Sequence, residues 1–197
     1  VENETIRISN MIMIGATGQN SGKTTFAAEI IRRWRKEFPI IALKITSVNQ
    51  QHAHCVRGGA GCGACSSLCD SFELSEETDP ASGKDTSLLL AAGAHRVYWM
   101  KCMKEHLGDG IRHFLLQIPE DALILCESNS LRKIALPGLF VMLQNARNAA
   151  VKPSAEEVID KADLVVVNDF GEGIRTYVSQ ISIACGASGI EIHLTQE

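Results

Sequence analysis

Gly15-Ala16-Thr17-Gly18-Gln19-Asn20-Ser21-Gly22-Lys23-Thr24-Thr25 joins an apolar run, residues 6–14, to an amphipathic run, residues 21–36. The first run is rich in Ile and Met and predicts a strand. The second repeats Phe26, Ala27, Ile30, Ile31 and Trp34 at helical spacing, with Arg32, Arg33, Arg35 and Lys36 on the outer face. It predicts a helix that Pro39 stops. A glycine-rich turn between a strand and a helix can wrap phosphates with backbone N–H groups, because glycine admits the dihedrals and the close approach required. The helix adds the positive end of its dipole. In such a turn Lys23 reaches the outer phosphates and Thr24 offers its hydroxyl to Mg²⁺. The residues expected to hold a nucleotide are therefore Gly18, Gln19, Asn20, Ser21, Gly22, Lys23, Thr24 and Thr25. The pattern G-x-x-x-x-G-K-[ST] is missed at its first position, where Thr17 stands and Gly18 follows one place late. The bland alternative is a plain strand-to-helix turn with a solvated lysine.

Further strands are expected at 40–46, 96–100, 122–126, 139–143, 164–167 and 190–194. Helices are expected at 85–94, 103–117, 153–162 and 172–184, with Asp85 or Thr86 as a cap for the first of these. Strands apolar on both faces and alternating with helices predict a mostly parallel sheet of about seven strands, covered by helices on both faces. That is a three-layer α/β fold, read as a single domain over residues 1–197. Residues 48–84, rich in Gly, Ser, Cys and acids, break the rhythm and read as an insertion.

Composition bounds the rest. Of 197 residues, 45% are apolar and 21% charged, as in ordinary globular proteins. A net charge of −4 argues against nucleic-acid binding by bulk electrostatics. No run approaches 18 apolar residues, so no membrane span is expected. Val1-Glu2-Asn3-Glu4 has neither the basic start nor the apolar core of a secretory leader. Seven cysteines, four of them within residues 55–69, fit a reducing cytoplasm better than a disulfide scaffold.

Phosphate chemistry needs an acid near Mg²⁺ and a group that orients the attacking water. Glu127, ending the strand at 122–126, stands where such an acid belongs; its alternative is a surface acid at a strand terminus. Asn168 and Asp169 end another strand and are candidates for reading a base edge. An Asp there accepts from guanine N1–H and N2–H₂, a pairing that adenine cannot offer. A polar strand-end turn explains them equally. On these residues alone the nucleotide is GTP or ATP. Residues 136–141, with Leu136, Pro137, Leu139 and Phe140, read either as apolar surface for a homodimer contact or as a loop entering a strand.

His52-Ala53-His54-Cys55 and the spacing C-x6-C-x2-C-x3-C over Cys55, Cys62, Cys65 and Cys69 concentrate soft ligands on a glycine-rich frame. Four thiolates suit Zn²⁺ or an iron–sulfur cluster, and His54 can replace one of them. A loose loop with reduced thiols and a Cys62/Cys65 redox pair are the competing readings. Cys102, Cys126 and Cys185 are expected to pack inside regular elements.

Residues 18–25 resemble the "N-S-G-K-T-T" phosphate loop of the molybdopterin-guanine dinucleotide biosynthesis protein B family, MobB-like P-loop GTPases. Gly83-Lys84-Asp85-Thr86 running to Ala92-Gly93-Ala94 resembles that family's "G-K-D-S/T … A-G-A" segment. Leu123-Ile124-Leu125-Cys126-Glu127 is similar to its acidic strand end. The resemblance implies a P-loop NTPase fold, Mg²⁺-dependent hydrolysis of GTP and often a dimer. It also implies a role in building or inserting a molybdopterin-type metal cofactor, with a cofactor-biosynthesis or metalloenzyme partner. It places Asp85 near Mg²⁺ and the γ-phosphate, against its reading as a helix cap. Two other classes stay open: a nucleotide-dependent kinase or transferase on a small metabolite, and a non-catalytic metal-binding nucleotide switch. The sequence departs from the family where Ser128-Asn129-Ser130 replaces the usual glycine after the acid, where histidines follow Lys44 only at His52 and His54, and in the cysteine-rich stretch.

Overall fold

The computed structural model describes residues 5–48, 68, 71–171, 173–187 and 189–195. Strand β1 (Ile6–Ala16) leads through the glycine-rich turn to helix α1 (Lys23–Trp34) and then to β2 (Ile40–Val48). After β3 (Phe72–Glu76) come α2 (Asp85–Ala92), β4 (Arg96–Met103), α3 (Leu107–Leu115) and β5 (Leu123–Glu127). The chain continues through β6 (Ala135–Asn145), α4 (Pro153–Glu156), β7 (Leu164–Asn168) and α5 (Gly173–Ser179). It closes with β8 (Ile181–Gly186) and β9 (Gly189–Leu194).

Seven strands form one sheet in the order β3-β4-β2-β5-β1-β6-β7, parallel throughout except for antiparallel β3 at one edge. The central strands are buried on both faces, which is why they read as unbroken apolar runs. In β1, Ile12, Ile14 and Ala16 join one core with Phe26, Ile30 and Ile31 of α1. Met11 and Met13 point the other way, into a second core with Leu107, Ile111 and Phe114 of α3. The three-layer α/β arrangement expected from the alternation is therefore present. Cys102 and Cys126 are fully buried in the second core. Burial raises both thiols, Cys102 to about 11, so they act as apolar packing groups.

Several expectations need correction. The main sheet has the expected seven strands, but not the same seven: it includes β3, in a stretch expected to be irregular, and excludes β9. The segment expected to be one helix over 172–184 is instead α5 followed by β8, which pairs antiparallel with β9. Ile181, Ile183, Ile190 and Ile192 of that hairpin all reach the first core, and their alternation with exposed residues requires extended chain. Cys185 is accordingly exposed rather than packed. The helix expected at 153–162 is one turn, α4, then a 3₁₀ turn at Ile159–Lys161, because only Ala155 and Val158 bury fully there. Residues 136–141 lie within β6, paired to β1 on one side and, from Val141 onward, to β7 on the other. They form a strand and not a loop, with Leu139, Phe140 and Val141 buried. Pro137 is accommodated where the β1–β6 register shifts, and Gly138 is needed because a Cβ there would sit 2.0 Å from the Ser9 carbonyl oxygen.

Candidate phosphate site

The carboxyl ends of β1, β2 and β5 meet at one edge of the sheet, beside the strand order's reversal around β1. Open parallel sheets bind ligands at such an edge. A cleft of about 830 Å³ lies there, bordered by Gly18 through Thr25, by Lys44, Asp85 and Glu127, and by Lys104, Lys152 and Phe170.

The glycine-rich turn is held from outside, largely through its carbonyls. Asn129 forms a two-way amide pair with Ala16: its Nδ2 donates to the Ala16 carbonyl at 3.0 Å and its Oδ1 accepts the Ala16 N–H at 2.9 Å. The Lys152 N–H donates to the Thr17 carbonyl at 2.8 Å, and the Ser21 hydroxyl to the Gly18 carbonyl at 3.2 Å. Asn168 Nδ2 donates to the Ser21 carbonyl at 3.1 Å. The Gly22 carbonyl accepts the Phe26 N–H as α1 begins. A loop anchored by its carbonyls can turn its N–H groups toward an anion. Gly22 is required twice over: its φ is +88°, and a Cβ would approach Asn168 Nδ2 to 2.3 Å.

Glu127 ends β5 beneath this loop and is 4% exposed. Its Oε1 has no hydrogen-bond partner among the described residues. Burial raises its pKa above the usual carboxylate range, and Asp85 adds to the rise. Lys23, Lys44 and a hydrogen bond with Thr24 pull the other way without cancelling it. Asp85 opens α2 but makes no capping hydrogen bond, since Lys84 occupies the cap position. Its carboxylate instead forms an ion pair with Lys44 Nζ. Lys44 thus borders the cleft together with Asp85.

The buried, unpartnered carboxylate oxygen of Glu127 and the adjoining Thr24 hydroxyl fit a hard divalent cation. Oxygen donors of this kind suit Mg²⁺ and not a soft metal. Cys55, Cys62, Cys65, Cys69 and His54 lie outside the described residues. Among the described residues no group of three or more His, Cys, Asp or Glu side chains is placed to hold a metal.

The two base candidates separate. Asn168 is 3% exposed, with Nδ2 on Ser21 and Oδ1 accepting the Phe170 N–H at 2.9 Å, so its amide is committed inside the protein. Asp169 is exposed and its Oδ1 accepts the Gly171 N–H at 2.9 Å. Neither borders the cleft, but the next residue, Phe170, does.

Sequence reading missed Asn129, Lys104, Lys152 and Phe170. Asn129 had a visible signal, a polar residue in the run after an apolar strand, and Phe170 is the one apolar side chain in a polar turn. Lys104 and Lys152 had none. Among the described residues no helix is long and apolar enough to cross a membrane. No protein-family model, no curated protein and no solved structure matches the chain.

Proposed function

We propose that the chain is a Mg²⁺-dependent nucleoside-triphosphate hydrolase. The observation that carries this reading is the buried Glu127 carboxylate, with an unpartnered oxygen, beside Thr24 at the start of the helix that follows the glycine-rich turn. A buried carboxylate oxygen left without a partner is costly unless a cation or proton compensates it. Thr24 and Glu127 would hold Mg²⁺, which neutralises phosphate charge when bound. Lys23 would face the outer phosphates, and the turn's N–H groups with the α1 dipole would hold the remaining oxygens. Asp85, paired to Lys44, borders the same cleft and would orient water or the cation's water shell.

Asn129 and Asn168 act on the loop and not on the ligand in this scheme, since both amides are spent on backbone groups, Asn168 on Ser21 and Phe170. Asp169 would read the guanine edge, which makes GTP the expected substrate and ATP the alternative. Coupling to a molybdopterin-type cofactor, through a biosynthetic or metalloenzyme partner and a Zn²⁺ or iron–sulfur centre on Cys55, Cys62, Cys65, Cys69 and His54, rests on the resemblance and the cysteine spacing alone.

Phosphate release from GTP and ATP, with Mg²⁺ and with chelator, tests the reading. Turnover that needs Mg²⁺ and is lost in Lys23→Ala supports it; turnover indifferent to both contradicts it. A second reading draws on the Ser47 and Ser130 hydroxyls, which lie 2.8 Å apart and border the cleft, as Lys104 does. Such a lining suits a small phosphoryl acceptor. Diphosphate formation stimulated by a metabolite, with no free phosphate, would favour transfer over hydrolysis.

A further inference from the structure

The cleft carries an exposed aromatic ring whose position is set by the same buried amide that holds the glycine-rich turn. Phe170 is 46% exposed and borders the cleft. Its φ is +67°, a left-handed conformation that bulky side chains seldom adopt and that the surroundings must enforce. Asn168 enforces it, with Oδ1 accepting the Phe170 N–H while Nδ2 grips the Ser21 carbonyl. The Arg147 guanidinium lies over the ring, 5.2 Å from its centroid, and its Nη2 donates to the Asp169 carbonyl at 3.5 Å. The ring is thus anchored at its backbone and at one face, and still open to the cleft.

We infer that Phe170 is the stacking platform for the base of a nucleoside triphosphate whose phosphates lie on the 18–25 turn, with Arg147 backing the ring. The inference rests on the phosphate-binding reading of that turn. Backbone N–H groups bind phosphates whatever is attached to them, so preference for a nucleotide over bare polyphosphate needs a separate contact. A flat aromatic face provides it, because every base has a π face to set against it. The platform raises affinity without choosing between bases, and that choice is left to edge contacts such as Asp169. Because one amide holds both the turn and the ring, the distance between phosphate and base subsites is fixed before ligand arrives.

Calorimetric titration of the full chain with GTP, ATP and inorganic tripolyphosphate, each with Mg²⁺, tests this in the native sequence, Phe170→Ala and Phe170→Trp. Phe170→Ala should weaken GTP and ATP by about tenfold. It should leave tripolyphosphate within about twofold of the native value, and Phe170→Trp should retain nucleotide affinity. Native-like GTP and ATP affinity in Phe170→Ala would overturn the platform and leave the phosphate site standing. A parallel loss of tripolyphosphate would also overturn it, because the residue would then act through the turn. Absence of binding by all three ligands to the native chain would remove the phosphate reading and the platform together.

Discussion

Two strand-to-helix turns sit at the same edge of the sheet and solve opposite problems. The turn from β1 to α1 places its positive φ at Asn20 and Gly22, keeps Ser21 buried and is pinned by amides from Asn129 and Asn168. It presents backbone. The turn from β7 to α5 places its positive φ on a large aromatic, Phe170, and leaves that side chain and Asp169 exposed. It presents side chains. Glycine lets the first approach a ligand closely, whereas the second accepts a strained backbone to aim a ring. Asn168 belongs to the second turn and clamps the first, so the comparison comes down to one buried residue that ties a backbone reader to a side-chain reader.

The largest effect is expected where the first turn supplies charge. Lys23→Ala should lower nucleotide turnover by roughly 10²–10³-fold with little change in thermal midpoint, checked by steady-state kinetics and thermal denaturation. Next comes the residue that joins the turns. Asn168→Ala removes two buried hydrogen bonds and should cost about 2 kcal/mol, a fall of roughly 4–8 °C in thermal midpoint. It should also weaken GTP and tripolyphosphate together, unlike a change confined to Phe170. If Asn168→Ala weakens only one of them, the two turns are independent and the comparison breaks.

A smaller effect is expected from Glu127→Gln, and its sign depends on pH. Burial holds the Glu127 proton more tightly in the folded chain than in the unfolded one. The folded state therefore binds more protons as pH rises out of the ordinary carboxylate range, and stability falls until pH has passed the raised folded value. Glu127→Gln removes that slope. It should be more stable than the native chain at neutral pH, with the difference closing toward pH 4, as denaturant titrations across pH would show. The smallest effect is on the stability of Phe170→Ala, expected within about 0.5 kcal/mol because the ring is exposed. A large loss would mean that the ring is structural, and would sharpen the second turn into a packing element.

Legibility in the sequence followed the range of the interactions. The β1–turn–α1 unit could be read because strand, glycines and amphipathic helix are contiguous, and the helix buries Phe26, Ala27, Ile30, Ile31 and Trp34 as its spacing required. The short edge strand β3 could not, since Glu73 and Ser75 alternate with Phe72 and Leu74 beside a Gly- and acid-rich stretch, and its pairing partner β4 comes later in the chain. The hairpin β8–β9 left a period-two signal in Ile190/Ile192, where a strand is expected, and in Ile181/Ile183, which the helix expected over 172–184 overrides. At the site, Lys23, Thr24 and Glu127 were legible from type and position. Asn129 and Asn168 were not legible as clamps, because each acts on a carbonyl more than a hundred residues away, and no local spacing encodes that meeting.

The most direct test of the account is the Mg²⁺ dependence of nucleotide binding in the native chain and in Glu127→Gln, measured by calorimetry with GTP and ATP in parallel. If the buried carboxylate and Thr24 hold the cation, Mg²⁺ should tighten nucleotide binding to the native chain and give little or no gain in Glu127→Gln, while both proteins bind the metal-free nucleotide alike. An equal gain from Mg²⁺ in the two proteins, or no gain in either, would contradict the assignment of Glu127 to the cation.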